Sequence, residues 1–207
     1  NIETAFPDDV EDQILAVISE GEAAINDSAG WSGSLNSFDG GVGYWIITSD
    51  DVEFSFETDG MARISQNKWI EEKPEYLSYK QSTQQAFYFI EEIMLADGTQ
   101  AEPGDWILSY NGNVLTGIRQ WRGGNIDIPV MGWDDNYHTA GYCKAGDVPS
   151  FKLLRKNTNE VINLSGDIPS WNANGLYILS ELNEVEPLPK TFSVSEAYPN
   201  PFNPATE

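Results

Sequence analysis

The chain has 207 residues, 40% hydrophobic and 12% aromatic, enough apolar material for one large or two small domains with true cores. Its 33 acidic against 11 basic residues give a formal charge of −22, and fourteen acids but no Lys or Arg precede Arg63. A polyanion has no long-range attraction to phosphate backbones or anionic headgroups, and no apolar run approaches a bilayer span, so nucleic acid and membrane insertion fall away. The lone cysteine, Cys143, rules out an intramolecular disulfide framework and is expected to be buried as a small apolar residue.

Along the chain, Gly and Pro punctuate short runs rich in aromatic and β-branched residues every eight to twelve positions, which predicts an all-β protein of two β-sandwich-like modules. One short N-terminal helix is expected after Pro7, where Asp8 and Asp9 suit a helix start and Val10 and Ile14 follow at helical spacing. Residues 14–19, ILAVIS, have an equal claim to be a strand. The first module is expected over residues 1–72, with Trp31, Leu35, Tyr44, Trp45, Ile46 and Ile47 supplying its core.

The second module is expected over residues 73–183. It opens on QSTQQAFYFIEEIML (81–95), apolar on both faces until Glu91 and Glu92, as for a strand flanked on both sides by other structure. Further strands are predicted within residues 104–112, 113–121, 125–135, 149–156, 160–166 and 174–182, and Asn111-Gly112 marks a tight hairpin turn. No short repeat is visible. Residues 184–190 read as a linker, and residues 191–207 as an extended Pro-rich C-terminal tail, because each Pro fixes its own φ and pushes its predecessor out of the helical region.

The tail, TFSVSEAYPNPFNPATE, encloses Asn200, Phe202 and Asn203 between prolines at 199, 201 and 204. It resembles the opening of the C-terminal sorting domain of substrates of the bacterial type IX (Por) secretion system. That resemblance implies an extracellular or cell-surface protein, with the secretion machinery as a partner and any export signal already removed. Residues 30–48 resemble a small β module of such substrates, in which a Gly-Trp strand leads through a Ser-Leu turn to a Gly-Tyr-Trp-Ile strand. A further strand normally precedes the helix of that module, and this chain is expected to start after it. A third resemblance rests on Gly104, Asp105, Ile107, Tyr110, Asn111, Gly112, Gly117, Arg119, Gly132, Asp134, Asp135, Gly146, Asp147, Pro149, Phe151 and Lys152. These positions are similar to a module of secreted multidomain bacterial proteins. It implies a β-sandwich and no settled activity.

Candidate chemistry is thin. A nucleophilic hydrolase needs a base beside its nucleophile, and the one histidine, His138, has neither a G-x-S-x-G elbow nor a zinc partner in the sequence. Asp134, Asp135 and Asn136 are the densest oxygen cluster for calcium, the only cofactor considered, with Asp50 and Asp51 second; neither has EF-hand spacing. Trp121, Trp133, Tyr137 and Tyr142 cluster around that loop as candidate polysaccharide contacts. Phe192, Val194 and Tyr198 alternate on one face of a KTFSVSEAY segment suited to strand complementation. The expectation is a non-catalytic structural or surface protein that forms a homo-oligomer or polymer. The alternative is a carbohydrate-binding or adhesive module of a larger secreted protein.

Overall fold

The computed structural model describes residues 1–54, 74 and 76–185, and within them the protein is mostly β-sheet. A one-turn helix, α1 (Asp8–Glu11), follows Pro7, whose φ of −62° is already set for helix entry. Beyond it the β-branched run takes over as strand β1 (Ile14–Ile18), which decides the ambiguity of that segment. β2 (Ala23–Asp27), β3 (Gly30–Gly33) and β4 (Trp45–Thr48) complete an antiparallel sheet in the order β3-β2-β1-β4. Ile2, Phe6, Leu35 and the partly buried Trp31, Phe38, Tyr44 and Ile46 pack with Ile14, Val17 and Ala24 of this sheet.

The expected core of this unit needs one correction. Trp45 is 62% exposed. It opens β4, which among the described residues pairs only with β1, so its side chain has sheet neighbours on one side.

The rest of the chain supplies β5 (Gln85–Ile90), β6 (Ile93–Met94), β7 (Trp106–Asn111), β8 (Val114–Gln120) and β9 (Ile126–Met131). Then follow β10 (Ser150–Leu154), β11 (Val161–Ser165), β12 (Leu176–Leu179) and β13 (Leu182–Glu184). They form a six-stranded sheet, β6-β13-β11-β10-β7-β8, and a three-stranded one, β12-β5-β9. Two pairs are parallel, β12 with β5 and β13 with β6.

β5 is the middle of the stack, and all six of its residues are buried. Ala86, Tyr88 and Ile90 pack with Ile107, Phe151, Leu153, Ile162 and Leu164 of the six-stranded sheet. Phe87 and Phe89 face the other way and pack with Ile18 and Ala23 of the first sheet. The strand is apolar on both faces because a sheet covers each. Full burial of a side chain of this size contributes about 1.5–3 kcal/mol. The two sequence modules therefore share a core.

Polar bonds fix the same contact. The β1–β2 turn turns on Gly21 at φ 75°, whose N–H donates to Gln85 Oε1 at 3.1 Å and whose carbonyl accepts from Arg119 Nη2 at 2.7 Å. Gln85 Nε2 donates to the Ser19 carbonyl at 3.0 Å. Asp127, fully buried on β9, pairs with Arg119 at 2.9 Å and accepts the Ser34 N–H. Arg119 Nε also donates to the Asp127 carbonyl, and Ser109 Oγ to the Pro129 carbonyl. Both bonds occupy the border of β9, where Pro129 presents no N–H. β8 closes over this border at Gly117, where a Cβ would overlap the Pro129 carbonyl.

The hairpin turn lies one residue later than the dipeptide suggests. Asn111 still pairs with Val114, and the turn is Gly112-Asn113, with Gly112 at φ 58°.

Asp127→Ala leaves the buried Arg119 guanidinium and the Ser34 N–H without their carboxylate, so its urea unfolding curve is expected to show a loss of about 3–5 kcal/mol. Gly117→Ala forces β8 away from β9 and is expected to cost about 3 kcal/mol by the same measurement.

Candidate functional site

Two local constructions organise the six-stranded sheet, and they are copies of one another. Gly104 (φ 103°) and Gly146 (φ 93°) each precede an Asp that starts a strand segment. The Gly104 N–H donates to the Trp121 carbonyl at 2.8 Å, and the Trp121 N–H returns to the Asp105 carbonyl at 2.7 Å. The Gly146 N–H donates to the Trp171 carbonyl at 3.0 Å, and the Trp171 N–H returns to the Asp147 carbonyl at 2.7 Å. Each Asp carboxylate accepts the N–H three residues back, Glu102 for Asp105 and Lys144 for Asp147. Each indole Nε1 donates to a buried carbonyl, Ala101 for Trp121 and Val130 for Trp171. Strands β7 and β10 are thus launched by equivalent Gly-Asp clasps closed by a distant Trp. The repeat is not visible in the sequence, because its partners are sixteen and twenty-four residues apart in the two copies and only three residue types recur.

This placement decides the fate of the expected aromatic contacts. Trp121 is 2% exposed and offers no face to a ligand. Tyr142 is buried as well; its hydroxyl accepts the Lys80 N–H at 2.7 Å, and burial raises its pKa. Trp133 and Tyr137 do reach the surface, the latter 80% exposed. The Lys144 ammonium lies 4.0 Å from the Trp133 ring centroid, and the Tyr137 ring rests against that of His138. His138 is thereby placed as a surface loop residue.

The Asp134-Asp135-Asn136 loop spends its oxygens on its own turn. Asp134 Oδ1 accepts the Thr139 hydroxyl at 2.6 Å and the Asn136 N–H at 3.2 Å, while Oδ2 faces the Thr83 N–H at 3.5 Å. The Thr139 hydroxyl is the main reason that the Asp134 pKa is lowered. Asn136 Oδ1 accepts the His138 N–H and caps the 3-10 turn Tyr137–Thr139. Asp135 sits at φ 65°, a conformation Asp tolerates better than most residues. Among the described residues no three His, Cys, Asp or Glu side chains converge as a cation site requires. Phe192, Val194 and Tyr198 lie outside the described residues.

The other motif positions are also structural. A Cβ on Gly132 would overlap the Trp171 ring. Asp147 also accepts from Asn111 Nδ2 at 3.2 Å, Phe151 is fully buried, and the Lys152 ammonium lies 4.9 Å from the Tyr110 centroid. Beside the first clasp the surface opens into a cleft of about 240 Å³, edged by Gln120, Lys156 and Asn159. Sequence reasoning misses these residues because nothing in their spacing relates them.

Comparison of the chain with protein-family models, curated proteins and solved structures finds no match.

Cys143 is fully buried, and that burial, with the charge of Asp147, pushes its thiol up to about 12 from an ordinary 9.0. Burial likewise raises the pKa of the Tyr88 phenol, which donates to the Pro169 carbonyl. Between pH 9.0 and about 12 the unfolded chain loses a thiol proton that the native chain keeps. The contribution of Cys143 to stability is therefore complete below that window and declines as pH rises through it. Alkaline denaturation should show this decline, diminished in Cys143→Ala, and the native thiol should resist iodoacetamide at neutral pH until urea unfolds the chain.

Proposed function

We propose that this chain is a non-catalytic extracellular structural protein, exported by the type IX route and built into a surface layer or filament by strand addition between copies. The observation that carries this reading is the employment of the motif's polar residues. Asp105, Arg119, Asp127 and Asp147, the groups best suited to chemistry by burial or charge, are each bound to backbone groups or to one another and hold sheets in place. Such a body serves through its surface and its strand borders.

The first sheet supplies the borders. Among the described residues β3 pairs only with β2 and β4 only with β1. A border strand presents a row of N–H and C=O groups to an incoming strand. The exposed Trp45 on β4 is a large apolar side chain of the kind that an added strand covers. A donor segment such as residues 190–198, entering the next copy head to tail, generates an open filament or a ring. Its tail also carries the likeness to the sorting signal from which the export route is read.

Negative-stain electron microscopy of the full chain and of a chain lacking residues 190–207 tests this. Filaments or sheets are expected from the first and dispersed particles from the second. Identical assembly by both, or none by the full chain, defeats the proposal.

A further inference from the structure

We propose that the cleft beside the Gly104-Asp105 clasp binds a single uncharged sugar ring, such as the terminal residue of a neutral polysaccharide. This goes beyond the structural role above and does not depend on it. The floor is apolar, formed by Pro74, Trp106 and Leu154. The rim carries the amides of Gln120 and Asn159 and the ammonium of Lys156, which among the described residues have no hydrogen-bond or ion-pair partner of their own. Three side-chain polar groups without protein partners around one concavity are ready to bind something polar.

The rim is held in position. Asp105 accepts the Lys156 N–H at 2.9 Å, and the Lys156 stem lies over Gly104, where a Cβ would stand 3.0 Å from its Cδ. Asn159 sits at φ 56° in a turn closed by its N–H to the Arg155 carbonyl at 2.9 Å. The Arg155 guanidinium also lines the cleft, but it is tied to Asp105 at 3.1 Å and to Glu102 at 3.5 Å. Its charge is therefore already balanced. The same clasp that starts β7 builds this wall.

The chemistry selects the ligand. Amides both donate and accept, as sugar hydroxyls do, while an apolar floor suits the C–H face of a pyranose ring. A cationic ligand meets Lys156 and Arg155, and an anionic one must approach a chain of charge −22, so an uncharged ligand is favoured. The volume of about 240 Å³ lies below the roughly 300–1,000 Å³ of pockets that take drug-sized ligands, which limits the site to about one ring.

The test is a titration of the isotope-labelled full chain with glucose, galactose, mannose, N-acetylglucosamine and glucuronate, followed by two-dimensional nitrogen–proton NMR. At least one neutral sugar is expected to give saturable millimolar shifts at the Gln120 and Asn159 side-chain amides and the Trp106 indole. Gln120→Ala and Asn159→Gly, the latter compatible with the positive φ, should each weaken that Kd by about tenfold with the remaining spectrum unchanged, while Tyr137→Ala leaves it intact. Four results overturn the proposal: no saturable shift with any neutral sugar, shifts centred on Trp133 and Tyr137, tighter binding of glucuronate, or an affinity indifferent to both cleft variants in chains whose spectra show the native fold.

Discussion

One guanidinium holds three sheets. Arg119 leaves β8 of the six-stranded sheet, bonds both the carboxylate and the carbonyl of Asp127 on the middle sheet, and reaches the Gly21 carbonyl in the first. Removing two charges from water costs several kcal/mol per ion, and the arrangement offsets this only because the pair is also bonded to backbone groups on every side. Apolar contact alone is non-directional. Phe87 and Phe89 would pack against the first sheet at many offsets, whereas the Arg119, Asp127 and Gln85 bonds exist at one.

The paired Gly-Asp clasps give the second half of the chain an internal order. Each starts a hairpin, β7 with β8 and β10 with β11, and each is closed by a Trp that arrives after the hairpin is complete. The Trp does two jobs in both copies, supplying apolar bulk to the common core and a return bond to the Asp carbonyl. The resemblance to a secreted module quoted Gly104, Asp105, Gly146 and Asp147 as separate positions. They are two instances of one device.

Much of the architecture was legible from local pattern. The alternation in residues 160–166 became a strand with one buried face, and the doubly apolar run at 85–90 became the covered central strand. What stayed hidden depends on neighbours far away in the chain. Trp45 and Trp121 look alike as isolated aromatics, yet one stands at a sheet border and the other is enclosed by Ala101, Asp105 and the core. The acidic triplet at 134–136 reads as a cation loop until Thr139 and Thr83 take up the Asp134 oxygens. No pattern could show that Gln120 and Asn159 edge one cleft, since β8 and the β10–β11 turn meet only through the sheet.

The two parallel pairings set a condition on how the molecule is assembled. β5 and β6 are among the first strands of the second unit to be synthesised, yet their parallel partners β12 and β13 come at its end. Until those late strands arrive, Phe87, Tyr88 and Phe89 have an open flank, and the chain carries an aromatic strand able to pair with the wrong neighbour. A folding intermediate of this kind gains from a holding chaperone, or from a delay that keeps the whole polypeptide unfolded until its last strand is available.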